Sequence, residues 1–589
     1  MMGIQEWVHA LEVGEGRRYV KLAGSLLGLL FLLAVYDTRE FRNFSTSEAM
    51  DVSQLARNIS EGKGFVTDCI RPFSMFLVQR ERSDRDMKLR QGHPDLMNPP
   101  IYPLLLAGWM KFMPMHYYLQ RGGGFMKYQP EVLIAFLNQT LLLGVLVMTF
   151  LLGRAMFDPM VGLISTIVVA LTEVMWRFSA SGLSTMLLIL IFLGLVGCFL
   201  MTERLAENEG TGAGRLAGLA IGIGLLLGIG MLTRYSFGVL AVPSILYVAC
   251  SFPKRRLVMA LVVSCVFLMV VTPWLVRNFR LSGNLFGAAG YAFMEETQRF
   301  PDSRLQRSLN PDFSKFGPGD VLRKFMLNAS EIIQNDLPKL GQNWISAFFL
   351  VGMMIPFQGA ALARLRRFGL GSVAALFLAQ ALFRTYLTAE SPMVNSENLL
   401  VLMFPLVAIF GVAMYETLLE QIPLPFPEAR HLVTGGLVFI VSLPLLLTLL
   451  PPRIYPVAYP PYHPPVIQQT ASWLAEDDLM MSDVPWAVAW YGKRPCVWTT
   501  LTVVPDFYTI NDLTKPVKGL YLTQLTTDTK LSSEVLMGAD FAWQRFALDA
   551  VLRTNLPAGF PLKHGRRDFQ QSGQIFLTDR NRWGGRLVK

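Results

Sequence analysis

Charge and cysteine are both scarce in this chain. Only 16% of its 589 residues are Asp, Glu, Lys or Arg, against 52% hydrophobic, and a soluble protein with a solvated surface does not reach that balance. Five cysteines exclude a dense disulfide scaffold. Cys198, Cys250 and Cys265 sit in apolar runs, where a reduced thiol packs as a small hydrophobe. Cys69 and Cys496 fall in polar segments and are expected as two separate thiols unless those segments touch. Histidine is rare, with six in all, and His93 has no second His or Cys at ligand spacing, so no metal site is expected and no cofactor is implied. There is no internal repeat, no heptad run and no low-complexity tract longer than 207–214. The formal charge of +10 is not gathered on one basic face, which argues against nucleic acid as a partner.

Long apolar runs are abundant instead. They occur near 20–36, 131–152, 160–176, 184–201, 216–233, 237–251, 257–276, 343–359, 368–388, 398–417 and 432–450, which predicts about eleven membrane-spanning helices. The first follows Arg17, Arg18 and Lys21 as in a signal peptide, but no small-residue cleavage site follows, so a retained span is expected. With a cytoplasmic amino terminus, the inner connections hold Arg17, Arg18, Lys21, Arg154, Arg204, Arg215, Lys254, Arg255, Arg256, Arg364, Arg366, Arg367 and Arg430. The short outer ones hold Arg177, Arg234 and Arg384, as the positive-inside rule requires. This topology needs 100–114 not to cross. Its apolar run of about fourteen residues is short for a crossing and Pro99, Pro100 and Pro103 interrupt its start, so an interfacial helix is expected. The outer parts are then the loops 37–130 and 277–342 and a tail, 451–589, whose short apolar runs broken by Pro485, Gly492, Pro495 and Pro505 predict a small soluble α/β domain. The spanning domain is expected over 1–450.

The first outer loop carries the candidate chemistry. Ser45 or Ser47 can cap a short helix with an apolar stripe at Leu55 and Ile59, ended by Gly62 or Gly64. On it Glu48 and Asp51, three residues apart, share a face near Gln54, with Arg57 and Asn58 one turn on. Carboxylates at a helix amino end are kept ionised by the dipole and suit a general base. The structural alternative is a capping box in which Glu48 only satisfies a backbone amide of Ser45. The charged run 79–90 reads as a solvated surface, and His93 as a surface or capping histidine.

These pieces, in this order, resemble the membrane-embedded GT-C glycosyltransferases, kin of the protein mannosyltransferases and the lipid A aminoarabinose transferases. The resemblance is carried by residues 48–65 after the first span and by 93–106, which is similar to the family's His-Pro-Pro-Leu-Tyr-Pro stretch. It extends through Leu152-Gly-Arg154 and 228–234 to Pro273, Trp274, Arg277 and Asn278, with Phe286 and Gly287 behind them. It implies a GT-C fold with an outer cavity, a donor sugar on a polyprenyl phosphate or pyrophosphate, and a lipid, glycan or protein acceptor whose hydroxyl a first-loop carboxylate deprotonates. It also implies a multi-pass protein of a bacterial inner membrane with its tail periplasmic. Asp51 or Glu48 is then the base, Asp51 preferred because of the capping alternative for Glu48. Arg57, Arg71, His93, Tyr102, Arg234 and Arg277 are candidate phosphate or sugar contacts. Snorkelling to headgroups is the alternative for Arg234 and Arg277.

The chain also departs from the pattern. Ser47-Glu48 stands where better-known members have an acid pair, and Asp51 where they have Tyr. Ser181, Ser184 and Thr185 stand where relatives carry a second acid, with Glu173 poorly placed to replace it, so a divalent metal is not supported. Glu397-Asn398 replaces an Arg-Tyr pair of some relatives, and Asn98 a lysine of some aminoarabinose transferases. The competing reading is a non-catalytic envelope scaffold or a transporter of lipid-linked sugars. A transporter predicts ionisable residues deep in several spans or a repeated half, and neither is seen.

Overall fold

The computed structural model describes residues 16–82, 88–89, 92–119, 125, 127–206, 213–252, 255–340, 344–355, 359–385, 394–423, 426, 428–450, 458–527, 541–552, 556–557, 559–565 and 573–583. Parts of the charged run 79–90 and of the linker 207–214, and all of Lys254, lie outside these residues.

Each of the apolar runs falls on helix over most of its described residues. Among the described residues, seven helices are long and apolar enough to cross a membrane, or eight if the bent pair Pro159–Ala170 and Glu173–Ala180 is one span. Tyr235–Ser251 and Trp344–Met354 are shorter apolar helices, and the run at 20–36 lies in the helix Gly16–Arg39. The chain is a multi-pass membrane protein. Leu399–Gln421 is buried on all sides at the centre of the bundle, whereas Arg256–Ser282 and Glu428–Leu449 are mostly exposed and turn Leu261, Leu268, Met269 and Phe439 outward. Both places suit a helix apolar on its faces, since lipid solvates such side chains as well as neighbouring helices do. Gly224 and Gly228 let two spans approach closely: a Cβ on Gly228 would lie 2.7 Å from Val270 Cβ of Arg256–Ser282.

At one end of the bundle the half-buried Arg364 pairs with buried Glu203, which also accepts from Tyr247. The opposite end carries the first loop, the second loop and the tail. There Ile101–Phe112 is a separate helix of 12 residues, about 18 Å long, well short of a hydrocarbon core of about 30 Å.

The tail does not fold around its own residues alone. Strands β1 (Val66–Thr67), β2 (Cys69–Ile70) and β3 (His93–Pro94) come from the first loop, and β4 (Leu479–Ser482), β5 (Cys496–Trp498), β6 (Val517–Leu522), β7 (His564–Gly565) and β8 (Ile575–Thr578) from the tail. β1 and β3 pair antiparallel, and the others form one sheet in the order β2-β5-β4-β6-β8-β7. Its first three pairings are parallel, so the first loop supplies the edge strand of the tail's sheet. Ile70 enters the same core as Leu479, Val497 and Leu520 on one face. Cys69 and Cys496 are register partners on the other face, both buried and both free thiols. Arg307 of the second loop adds bonds to Thr499 O at 2.6 Å and Thr499 Oγ1 at 3.0 Å.

Candidate active site

The helix predicted in the first loop runs Ser47–Ser60, and its N-cap is Thr46, whose Oγ1 accepts from Ala49 N. That cap position places Glu48 second in the helix rather than third, so it takes no part in a capping box and its carboxylate is left for other use. After C-cap Glu61 the chain reverses through Gly62 and Gly64 at φ +80 and +83, where a side chain would be strained.

Glu48 and Asp51 line a cavity of about 620 Å³ at this end of the bundle. Arg71, Asn98, Tyr102, Arg234, Thr385 and Glu397 also line it, and Met231, Phe267, Phe286 and Phe383 supply much of its apolar wall. The two acids differ sharply. Glu48 is about a third exposed, with Oε1 3.5 Å from Arg234 Nη1. Arg234 is held in place by donating to Ser396 O at 2.7 Å. Asp51 is 1% exposed and its oxygens are occupied: Oδ2 accepts from Arg71 Nη2 at 2.8 Å and Asn98 Nδ2 at 3.2 Å, Oδ1 from Gln54 Nε2 at 3.2 Å. Burial alone would lower the Arg71 guanidinium, but Asp51 beside it carries it above its ordinary range. Asn98 also donates to Asp95 Oδ2 at 3.1 Å, so one amide bridges two carboxylates. Burial and the nearby Asp51 push Asp95 up to about 6.

Tyr102 donates to the Gly182 carbonyl at 2.9 Å and accepts from Asn138. Gly182 has φ +77, and a Cβ there would lie 2.4 Å from the Phe44 ring. Gly182→Ala is therefore expected to lower stability by about 2 kcal/mol, read as a fall in thermal midpoint of the detergent-solubilised protein.

Three predicted contacts lie outside the cavity lining. Arg57 is 1% exposed on the far side of the helix, bonded to tail carbonyls. His93 shares a 2.8 Å hydrogen bond with Ser74 Oγ, and burial, with Arg82 and Arg71 near, brings its imidazole down to about 3. Arg277 donates to Asp95 O at 2.7 Å and lies 4.5 Å over the Trp274 ring. Glu173 pairs with Arg177 at 2.6 Å and is likewise outside the lining. Among the described residues no three of His, Cys, Asp and Glu converge as metal ligands.

Glu397, singled out in sequence only as a departure, is a cavity residue. Its carboxylate accepts from Thr385 N and Thr385 Oγ1, both at 2.6 Å, and burial pushes it up to about 7. Glu131 was not anticipated at all. It is fully buried and accepts from Trp490 Nε1, Tyr491 OH and Phe44 N. Its partners in the tail lie more than 350 residues away in sequence, beyond any local pattern.

The bundle of spans, with an acid-bearing loop helix and a cavity at one end, has the GT-C fold of the solved proteins it resembles. Residues 90–283 match the family model of the dolichyl-phosphate-mannose-protein mannosyltransferases. The chain is similar in fold to the archaeal oligosaccharyltransferase AglB from Archaeoglobus fulgidus, solved with an inhibitory peptide and a dolichol-phosphate. That likeness has 11% identity and a TM-score of 0.52, and covers 90% of this chain and 72% of that one. It is equally similar to ArnT from Cupriavidus metallidurans, solved bound to undecaprenyl phosphate, at 11% identity and TM-score 0.52, over 95% of this chain and 98% of that one. No curated protein matches the chain by sequence.

Proposed function

We propose that the chain transfers a sugar from a polyprenyl phosphate or pyrophosphate to a hydroxyl of a lipid, glycan or protein acceptor, with inversion at the anomeric carbon. The observation that carries this reading is the Glu48 carboxylate facing Arg234 across 3.5 Å on the wall of a largely apolar cavity. In the reaction the acceptor oxygen bonds to the anomeric carbon while the bond from that carbon to the phosphate oxygen breaks. Glu48 takes the hydroxyl proton, and the electron pair leaves with the phosphate, whose charge Arg234 stabilises. Asp51 holds Arg71 and Asn98 in the cavity wall, Arg71 adds positive charge, and Tyr102 forms part of the wall that the sugar meets. Arg57, His93 and Arg277 then act through the scaffold. We place the cavity and tail on the periplasmic face of a bacterial inner membrane with the amino terminus cytoplasmic, because the arginine-rich connections then lie inside. The scaffold or transporter alternative is not favoured, since the fold is one of transferases.

The test compares envelope lipids, glycans and glycoproteins by mass spectrometry in cells with the wild-type chain, with Glu48→Gln, and without the chain. The reading predicts one glycan lost in both altered strains. A full complement of glycans in all three contradicts it.

Glu397 gives the site a pH dependence. Below about 7 it is neutral and Arg234 faces one carboxylate, Glu48; above, it faces two, with Lys324 the other cation near Glu397. Undecaprenyl phosphate is expected to bind the wild type less tightly as pH rises from 6 to 8, by about threefold to tenfold more than it does in Glu397→Gln. The comparison between the two proteins cancels titration of the lipid phosphate itself. The same proton affects folding. Its folded value lies above the ordinary glutamate value of 4.5, so its stabilisation is complete below 4.5 and is lost as pH rises through about 7.

A further inference from the structure

We infer that the tail segment 489–491 is part of the scaffold of the active site, and that Arg57 and Glu131 are positioning residues that clamp both ends of the acid-bearing helix to it. The inference deepens the proposed function and rests on it for the meaning of the site, though not for the clamp itself.

The Ser47–Ser60 helix shows Glu48 and Asp51 to the cavity, and Arg57 lies on another face, near the opposite end. Arg57 Nη1 donates to Trp490 O and Nη2 to Ala489 O, each at 2.8 Å, so its planar fork spans two consecutive carbonyls of the tail. The guanidinium lies 5.6 Å from the centre of the Trp490 ring and 5.7 Å from that of Tyr117. At the other end, Glu131 Oε2 accepts from Phe44 N at 2.8 Å, two residues before N-cap Thr46. Its Oε1 accepts from Trp490 Nε1 at 2.8 Å and Tyr491 OH at 2.7 Å. One buried carboxylate therefore fixes the lead into the helix and the tail segment that Arg57 grips. Lys493 completes the set by pairing with the C-cap Glu61 at 3.3 Å.

Apolar packing alone would hold the tail on the helix without desolvating a carboxylate and a guanidinium. Directional bonds add a fixed register. A one-residue slip of a helix turns every side chain by about 100°, which would carry Glu48 and Asp51 off the cavity wall. The tail thus acts on the chemistry from behind the helix without lining the cavity at 489–491.

The test uses the full-length protein in lipid nanodiscs, with Arg57→Met, Arg57→Lys, Glu131→Leu and Glu131→Gln. Amide hydrogen exchange is followed in 47–60 and in Thr185–Ala206, alongside affinity for undecaprenyl phosphate. Arg57→Met and Glu131→Leu are expected to speed exchange in 47–60 by about tenfold or more, with Thr185–Ala206 unchanged. The same two variants are expected to weaken undecaprenyl phosphate binding by about tenfold. Arg57→Lys and Glu131→Gln, which retain part of the bonding, should show both effects at an intermediate size of about threefold, and that intermediate change is the test if the harsher variants do not accumulate. Unchanged exchange in 47–60 overturns the clamp. Faster exchange with unchanged lipid affinity, or no recovery in the conservative variants, overturns positioning of the site. If the wild type itself fails to bind undecaprenyl phosphate, the proposed function fails, and exchange in 47–60 alone still decides for or against the clamp.

Discussion

Glu48→Gln is expected to lower sugar transfer by about 10² to 10⁴-fold while leaving the protein folded. Glutamine has the size of glutamate and can still accept from Arg234, but it cannot take a proton from the acceptor hydroxyl. The ion pair it replaces is long, at 3.5 Å, and the Glu48 side chain is about a third exposed, so water screens it. Its loss should move stability by less than about 1 kcal/mol. The measurement is the rate at which the glycan that depends on this chain appears after induced expression, with thermal denaturation of the same purified variant as control. Unchanged transfer in a folded Glu48→Gln protein would remove Glu48 from the role of base and return it to Asp51.

Asp51→Ala should do the opposite and strike stability first. The Asp51–Arg71 pair has 2.8 Å geometry with side chains only 2% and 8% exposed, so alanine leaves a guanidinium buried without its counter-charge. Breaking such a pair costs about 3–5 kcal/mol. Asn98 and Gln54 lose an acceptor as well, which disorders the same stretch of cavity wall. The double change Asp51→Ala with Arg71→Met should recover part of that loss, because no unpaired charge is then buried. Chemical denaturation of the four proteins of this cycle checks the result. Equal stabilities for wild type and Asp51→Ala would mean that Asp51 is not the anchor of this wall and is available as a base. Together the two substitutions assign different work to two acids that lie three residues apart.

Local pattern made one part of this visible. The apolar runs placed the helices, because a helix among other helices or lipid writes its length and polarity directly into sequence. The short loop helix was equally plain from its apolar stripe and from the glycines that end it, though its cap is Thr46 rather than Ser45 or Ser47. What separated Glu48 from Asp51 was not plain. Taking Ser45 as the cap put Glu48 within reach of a capping box, and a cap at Thr46 removes it by one position. No pattern names Arg71 as the partner of Asp51, since the two meet only after the chain turns through β1 and β2. Arg57, His93 and Arg277 were conspicuous as polar groups, but most of their bonds run to backbone carbonyls or to a serine, and a carbonyl leaves no mark on composition. The two-residue strand β2 carries no alternation long enough to announce a place in the tail's sheet. Glu397 and Glu131 escaped for the same reason as β2, because distant segments supply their surroundings.

The most direct measurement is a structure of the full chain in nanodiscs with undecaprenyl phosphate added. The account predicts the lipid phosphate in the cavity, about 3 Å from the Arg234 guanidinium, with the Glu48 carboxylate turned away from Arg234 and open to an acceptor hydroxyl. A phosphate seated elsewhere on the protein, with the cavity empty and the Glu48–Arg234 pair intact, would contradict it.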